Sequence, residues 1–374
     1  MECKTHFIGM VLACLPFGIS AAAGIGDVQW HGFMTTAANI TDSSVDYAGS
    51  ASDDVGFRDS RLGLNVSARI AENWAIAGQL LGKNYEDDDY KLEVDWALAT
   101  YNPTDRTALR FGRIKYPAGL LTEYVETGYT YLWIRPPEAI YNLEAHGPNT
   151  LRKAFDGING TWQIPADSVD YSLDVYGGTA EVDDGHMKNF LGIKFEADIE
   201  DALRFQASVN NGTMEVDNSH GRQAMMDGAS HTTYTLGLSV DWNNVLLQSE
   251  VAIVRMGKSN SNLFTSAQRK AIADSMDATN WYSMLGYRLG KTTPHVTYSK
   301  WDQDSGVGQE TLTVGVRYEV APSIALKAEW NRIIDASAIS SGSVSFLPAG
   351  NAGLFAGDPD GDVNLYAAAL EFIF

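Results

Sequence analysis

The chain has only two cysteines, and both lie close to its start, at Cys3 and Cys14. The segment around them has a charged beginning, an apolar core and small residues at 21–23, which is the order typical of a secretory signal. We expect residues 1–23 to be a signal peptide, so the exported chain would have neither a disulfide nor a thiol ligand. In the alternative interpretation, Cys14 is the acylated residue of a lipoprotein signal.

Beyond this segment the sequence has no apolar run long enough for a membrane-spanning helix. Basic residues are also scarce, with 27 Lys and Arg against 47 Asp and Glu and a formal net charge of −20. Since phosphate binding needs a basic surface, nucleic acid is not expected as a partner. The histidines are scattered, and neither zinc-ligand spacing nor a phosphate-binding glycine loop occurs, so we expect no cofactor and no catalytic site.

What the chain does contain is a two-residue alternation of apolar with polar or small residues, in segments of roughly ten. Residues 61–70, 234–242 and 311–320 show it clearly. In the first of these, Leu62 and Leu64 lie on the face opposite Arg61. This period predicts strands with one apolar and one polar face.

The connectors between these segments alternate strictly between short and long. The short ones occupy 71–73, 103–105, 165–167, 199–201, 243–244, 289–291 and 321–323. The long, polar ones occupy about 39–56, 83–91, 116–154, 179–188, 211–230, 257–278, 303–308 and 335–362. This asymmetry is typical of outer-membrane barrels, with short periplasmic turns and long extracellular loops. We therefore predict one all-β domain over residues 24–374, a transmembrane antiparallel β-barrel of about 16 strands.

The alternative folds are a soluble β-sandwich and a propeller. A sandwich rarely combines so many strands with strict turn asymmetry, and no blade repeat occurs. Aromatic side chains near the predicted strand ends also favour the membrane barrel, because such rings lie at lipid headgroups. They are Trp30, Trp74, Trp96, Tyr101, Trp162, Trp242, Trp281, Tyr287, Tyr318 and Trp330.

Several segments resemble the Gram-negative outer-membrane porin superfamily, in an order that covers essentially the whole exported chain. They are "DSRLGLNVSARIAENWAIAGQL", "ALRFGRIKYPAG", "GKTTPHVTYSK", "VGVRYEVAPSIALKAEW" and the closing Phe374, which resembles the family's assembly signal. The resemblance implies a general diffusion porin of sixteen strands, usually a homotrimer, that lets small hydrophilic solutes and ions cross the outer membrane. The chain departs from the family where residues 135–138, Arg-Pro-Pro-Glu, replace an acidic Pro-Glu-Phe-Gly-Gly signature.

The longest loop, 116–154, is the candidate constriction, since long loops without secondary structure are usually functional. By resemblance it folds into the lumen; the alternative is an external flap. Opposite it we expect lumen-facing cations, of which Arg61 follows from the alternation, whereas a bulge could reverse Arg58 and Arg113. A field between wall cations and loop carboxylates would orient solutes. The predicted constriction residues are Arg58, Arg61, Arg113, Glu123, Glu126, Arg135, Glu138 and Glu144.

Acidic residues outnumber basic ones at the predicted inward positions, so we predict a mild cation preference for the pore. The external loops are also acidic, which indicates either a solvated charged surface or divalent-cation bridges to lipopolysaccharide. In "DPDGDVN", Asp358, Asp360 and Asp362 have the alternating oxygen ligands of a calcium loop.

The function expected from the sequence is passive diffusion through a water-filled channel. A substrate-selective channel of the same fold is the first alternative, and an enzyme or adhesin anchored by the barrel is the second. In the terminal segment, Glu371 is expected to face the lumen or the periplasmic rim, while Tyr366 and Phe372 face lipid. The last strand must pair with the first to remove both sheet edges.

Overall fold

The computed structural model of the protein describes residues 28–47, 50, 52, 55–84, 90–142, 151–182, 185–216, 225–337, 354–355, 359 and 361–374. The expected signal peptide, residues 1–23, lies outside these ranges. Within them, sixteen antiparallel strands form a closed barrel in which each strand pairs with its neighbours in sequence and β1 pairs with β16. The predicted all-β barrel is confirmed.

The strands are β1 Gln29–Thr41, β2 Arg61–Ala71, β3 Trp74–Asn84, β4 Tyr90–Thr104, β5 Thr107–Lys115, β6 Ala154–Ala166, β7 Val169–Val182, β8 Gly185–Ile199, β9 Leu203–Val216, β10 Ser230–Trp242, β11 Val245–Met256, β12 Ala278–Tyr287, β13 Thr292–Asp302, β14 Gly308–Ala321, β15 Ile324–Ser337 and β16 Val363–Ile373. Two helices, α1 (Glu138–Tyr141) and α2 (Ser266–Ser275), and a 3₁₀ turn (Gly128–Thr130) lie in the connectors. None of the helices in the described residues is long and apolar enough to cross a membrane.

Side chains alternate between the two faces of the wall as the sequence predicts. In β10, Leu236 and Trp242 are 50% and 66% exposed on the outer face, whereas the inward Thr235 is 2% exposed. The outer face therefore presents a broad apolar band, which is the surface that a hydrocarbon solvent requires. The inner face is polar or small, and much of it is covered by a loop.

The connectors confirm the short turns, which leave two to four residues between successive strands. One predicted long loop is wrong. Residues 179–188 were expected to be a loop, but β7 continues to Val182 and β8 begins at Gly185. Ala180 pairs with Met187 and both are buried inside the barrel. The polar residues that suggested a loop, such as Glu181, lie on the outer face at the loop end of these strands, where polarity does not end the pairing.

The seam between the first and last strands closes the barrel as predicted. Leu370 and Tyr366 face outward, whereas Glu371 is fully buried on the inner side. Beyond the strand, Phe374 exchanges two backbone hydrogen bonds with Gly32, at N···O distances of 2.8 and 2.9 Å. The apolar C-terminus is thus the edge that pairs with β1, and pairing leaves neither edge open.

Several predicted rim aromatics lie on the outer face near the short turns. Trp74 stacks on Tyr101 at a ring separation of 4.9 Å, and Trp162 and Trp242 are exposed at the same end of the barrel. This placement matches an aromatic girdle at one interface. Trp96 is the exception, because it faces the lumen.

Candidate functional site

The loop that follows β5 lies inside the barrel, where it contacts inward side chains of strands far apart around the wall. Near its start, the carbonyl of Ala118 accepts hydrogen bonds from Gln206 (2.8 Å), Ser208 (3.2 Å) and Thr235 (2.6 Å). These donors belong to β9 and β10, four and five strands from β5 around the wall. The part of the loop that the structure describes, residues 116–142 and 151–153, is therefore an internal element and not an external flap.

Further along, the loop is held by strands β11 and β13. The Tyr141 hydroxyl donates to Glu250, and the amide of Leu121 donates to the Tyr141 oxygen at 3.0 Å. The Trp133 indole N–H donates to Thr297 at 2.8 Å. Because Trp133 and Tyr141 are buried aromatics with satisfied polar groups, they fix the loop to the wall.

The deepest part of the loop reaches the end of the barrel that carries the short turns. The Tyr129 hydroxyl donates to the carbonyl of Pro322, in the turn between β14 and β15, at 2.7 Å. Lys327 donates from Nζ to the carbonyls of Gly128 (2.7 Å) and Trp133 (2.6 Å) and pairs with Glu371 at 2.8 Å. All three ammonium donors are thus used in a site that is closed to solvent.

Two recesses lie beside the described part of the loop. The first, which we call the arginine recess, lies against β2 and β3 and has about 580 Å³ of empty space. Its charged lining residues are Arg58, Asp59, Arg61, Lys83, Glu126, Arg135 and Glu138. It therefore collects most of the charged residues that the sequence assigned to the constriction.

Ion pairs and hydrogen bonds connect the loop to the wall in the arginine recess. Arg135 Nε lies 2.9 Å from both carboxylate oxygens of Asp59. Lys83 lies 3.6 Å from Glu126, and Arg61 donates to the Tyr131 hydroxyl at 2.6 Å. Opposite charges on loop and wall thus meet directly, and they hold the loop in position.

These contacts keep two carboxylates of the arginine recess ionised. Burial alone would raise the pKa of Glu126, but Lys83 and Arg61 outweigh burial and lower that pKa to about 2. Burial likewise opposes ionisation of Asp59, and Arg135 more than compensates, so the pKa of Asp59 lies below its ordinary value. Both groups are therefore anionic throughout the physiological pH range.

The second recess lies between the loop and strands β4–β7, with about 360 Å³ of empty space, and we call it the Trp96 recess. Its apolar lining residues are Trp96, Leu98, Ile114 and Pro117, and its polar ones are Arg110, Lys115, Glu123, Asn159 and Asp174. It places aromatic and charged groups side by side on the lumen wall.

A row of charges continues from the Trp96 recess along the inner wall. Lys194 lies 3.4 Å from Glu123, 3.5 Å from Asp174 and 3.9 Å from Glu196. Arg204 pairs with Asp198 at 3.0 Å and with Glu196 at 3.4 Å. The carboxylates outnumber the two cations, so this side of the lumen is acidic.

Most predicted constriction residues lie together, with two exceptions and one residue outside the described ranges. Glu123 belongs to the Trp96 recess, on the other side of the loop from the arginine recess. Glu144 falls within 143–150, which the structure does not describe. Arg113 is the clear error.

Arg113 points to the outer face of the wall. Its neighbours in β5, Phe111 and Ile114, face outward and inward respectively, which fixes its side. There Arg113 lies 3.0 Å from Glu181 and 3.7 Å from Asp156. These carboxylates come from β7 and β6 and stabilise a charge on the outer surface, so Arg113 contributes nothing to the lumen.

Two functional candidates escaped the sequence reasoning, Trp96 and Arg110. Strict alternation in β4 puts Trp96 on the face of Val94, which is exposed on the outside. A bulge between Gln79 and Leu80 of β3 and residues 94–96 of β4 shifts the register, so Asp95 and Trp96 both turn inward. In the sequence, the signal of this irregularity is the charged Asp95 directly before the aromatic Trp96, in a run that otherwise alternates.

The described residues contain no group of three or more His, Cys, Asp or Glu side chains that could hold a metal ion. Asp358 and Asp360 of the predicted calcium loop lie outside the described ranges. Asp362 pairs with Arg332 at 2.8 Å. The calcium site therefore stays a prediction.

Comparison with solved structures identifies the architecture. The match to an anion-selective porin from Comamonas acidovorans covers 93% of this chain and 99% of the porin chain, at 16% identity and a TM-score of 0.60. The match to the outer membrane channel DcaP of Acinetobacter baumannii covers 96% of this chain and 99% of the DcaP chain, at 13% identity and a TM-score of 0.55. The match to OmpF of Salmonella typhi in complex with daunomycin covers 93% of this chain and 97% of the OmpF chain, at 12% identity and a TM-score of 0.58.

These similarities establish the fold, which is the sixteen-stranded barrel of Gram-negative outer-membrane porins. OmpT, an outer membrane protein of Vibrio cholerae, matches in a trimer form at 12% identity and a TM-score of 0.59, over 94% of this chain and 100% of its own. No protein-family model matches the sequence, and no curated protein matches it either.

Proposed function

We propose that the protein is a general diffusion porin of the bacterial outer membrane. Small hydrophilic solutes and ions would pass through its water-filled lumen. The observation that carries the proposal is the internal loop, which is fixed to the inner wall of a closed barrel by buried hydrogen bonds and ion pairs. On this proposal the loop narrows the lumen, and the passage beside it limits the size of the solutes that cross.

The charges along the passage support a mild cation preference. The sequence count of inward charges includes groups such as Lys327 and Glu371. These two groups are covered by the loop and neutralise each other. The groups beside the recesses are more exposed, and around Lys194 and Arg204 the carboxylates are in excess. Cations are therefore favoured on that side of the passage.

Planar-bilayer recording tests the proposal against its rivals. Purified protein should insert with stepwise, ohmic conductance, and a salt gradient should give a reversal potential that indicates cation preference. Conductance that one solute class blocks strongly would favour the substrate-selective channel instead. Absence of conductance from folded, inserted protein would favour an enzyme or adhesin anchored by the barrel.

The cellular setting is part of the same proposal. Residues 1–23 would direct export and be removed, and the exported chain would assemble as a homotrimer surrounded by outer-membrane lipid and lipopolysaccharide. The trimer form of the Vibrio cholerae protein supports such an assembly for this fold. A heat-labile oligomer on electrophoresis, with an N-terminus near residue 24, would agree with this setting; a monomer at every temperature would contradict the trimer.

A further inference from the structure

We propose that the Trp96 recess binds small zwitterions with an apolar side chain, the chemistry of a free α-amino acid. The inference deepens the proposed channel function and rests on it. It follows from three features of the recess: an apolar surface, a cation without a carboxylate partner, and an excess of carboxylates on the facing side.

The apolar surface comes from both the wall and the loop. Trp96 and Leu98 project inward from β4 and are half-buried, and Pro117 faces them from the loop. Ile114 of β5 is buried beneath. An indole and an aliphatic side chain that face a water-filled passage can bind an apolar group by removing it from water.

Arg110 supplies the positive side of the recess. Its Nη1 donates to Asn159 Oδ1 and Thr161 Oγ1, both at 2.8 Å, and these acceptors are neutral. Within the described part of the chain, Arg110 forms no ion pair with a carboxylate. Two hydrogen bonds therefore fix the guanidinium in place while Nε and Nη2 stay available to a carboxylate from the lumen.

Glu123 supplies the negative side. The ammonium of Lys194 is shared by Glu123, Asp174 and Glu196, at 3.4, 3.5 and 3.9 Å, so it cannot neutralise all three. Glu123 is the most exposed of them, with 36% of its side chain accessible, and it lines the recess from the loop. A ligand ammonium could therefore share this carboxylate.

The combination selects among ligand classes. A simple anion can pair with Arg110, but the excess carboxylates repel it. A simple cation can pair with Glu123, but Arg110 repels it. A zwitterion satisfies both sides, and its apolar side chain covers Trp96 and Leu98.

Current block in single channels provides the test, with three probes of similar size and shape. They are L-phenylalanine, 3-phenylpropionate, which has only the negative group, and 2-phenylethylamine, which has only the positive one. At pH 7 we expect L-phenylalanine to block at the lowest concentration. Arg110→Gln should weaken block by L-phenylalanine and 3-phenylpropionate about tenfold, as expected for loss of hydrogen bonds from a charged donor, and should leave 2-phenylethylamine unaffected.

Glu123→Gln should give the mirror result, with weaker block by L-phenylalanine and 2-phenylethylamine only. Trp96→Ala should weaken block by all three probes. Arg113→Gln is the matched control, because it removes an arginine from the same strand on the outer face, and it should change none of them.

The outcomes separate this inference from the proposed function. Normal conductance with no block by L-phenylalanine, or block that Arg110→Gln leaves unchanged, would overturn the zwitterion site and leave the diffusion channel intact. Equal block by all three probes would show apolar binding alone and would also refute it. Absence of conductance from folded, inserted protein would refute the channel itself.

Discussion

Lys327→Met is the most direct test of how the loop is fixed inside the barrel. Methionine keeps much of the volume of the lysine side chain but cannot donate a hydrogen bond or carry a charge. The substitution removes the hydrogen bonds that Lys327 donates to the carbonyls of Gly128 and Trp133, although Gly128 still accepts one from the Tyr131 amide at 3.3 Å. It also removes the ammonium that lies 2.8 Å from the buried Glu371 carboxylate.

The magnitude follows from these contacts. Removal of one member of a buried ion pair typically costs about 3–5 kcal/mol, because the remaining charge stays desolvated. Each 1.4 kcal/mol changes an equilibrium about tenfold, so the population with the 128–133 segment detached could rise by about two to three and a half orders of magnitude. The remaining contacts, such as Trp133 to Thr297, limit the effect, and we expect a rise of at least about tenfold.

Thiol modification measures this population. The chain has no cysteine beyond Cys14, so Leu132→Cys places a single thiol in the buried part of the loop. A soluble thiol reagent should modify it at least about tenfold faster in the Lys327→Met background, because the reagent reaches the thiol only when the segment opens. Lys300→Met is the matched control, since it breaks a half-exposed pair with Glu310 at 3.1 Å on the outer face of the wall.

A double substitution supplies the second measurement. Lys327→Met combined with Glu371→Leu removes the unpaired buried charge, so the modification rate should fall back part of the way towards the parent. If Lys327→Met modifies within twofold of the parent, or if Lys300→Met accelerates modification as much, the buried lysine does not hold the loop.

Three further perturbations probe the same structure. Gly128→Val should displace the loop and change single-channel conductance, because a Cβ atom there would overlap Glu371 Oε1; unchanged conductance would argue against the close approach. Glu126 has a pKa near 2 in the folded protein and about 4.3 when unfolded, so it stabilises above pH 4.3 and the effect disappears as pH falls towards 2. Glu126→Gln should therefore lower the heat-modification midpoint at pH 7 by an amount that shrinks in acid, and a pH-independent difference would contradict this. Deletion of Phe374 removes two backbone hydrogen bonds of the seam and should impair insertion more than pore properties; normal surface levels would refute it.

Local chemistry determined most of the wall. The two-residue alternation gave the strand segments, their facing and the closing pair, because a closed barrel between lipid and water forces each strand to separate apolar from polar side chains. Arg61 and Glu371 face inward as their parity requires. The predicted alternation of short and long connectors also gave the strand number, although the connector between β7 and β8 proved short, since short turns can only join adjacent antiparallel strands.

The same local signals failed at positions where a polar side chain lies on the outer face of the wall. Glu181 and His186 are polar and lie on the outer face at the loop end of the wall, yet β7 extends to Val182 and β8 begins at Gly185. Arg113 is charged yet faces outward, because Asp156 and Glu181 of neighbouring strands stabilise it. Only the register between strands brings those partners together, and no local pattern encodes it.

The lumen itself was decided by the tertiary structure. A bulge turns Trp96 inward, and the path of the loop determines which charges it covers and which stay beside the passage. Lys327 and Arg110 look alike in sequence, as single cations on inward positions of a strand. Lys327 of β15 is sealed under the loop by three acceptors, because the loop crosses that part of the wall. Arg110 of β5 faces a recess beside the loop instead. The sequence therefore determined the barrel, and the path of the loop determined its candidate site.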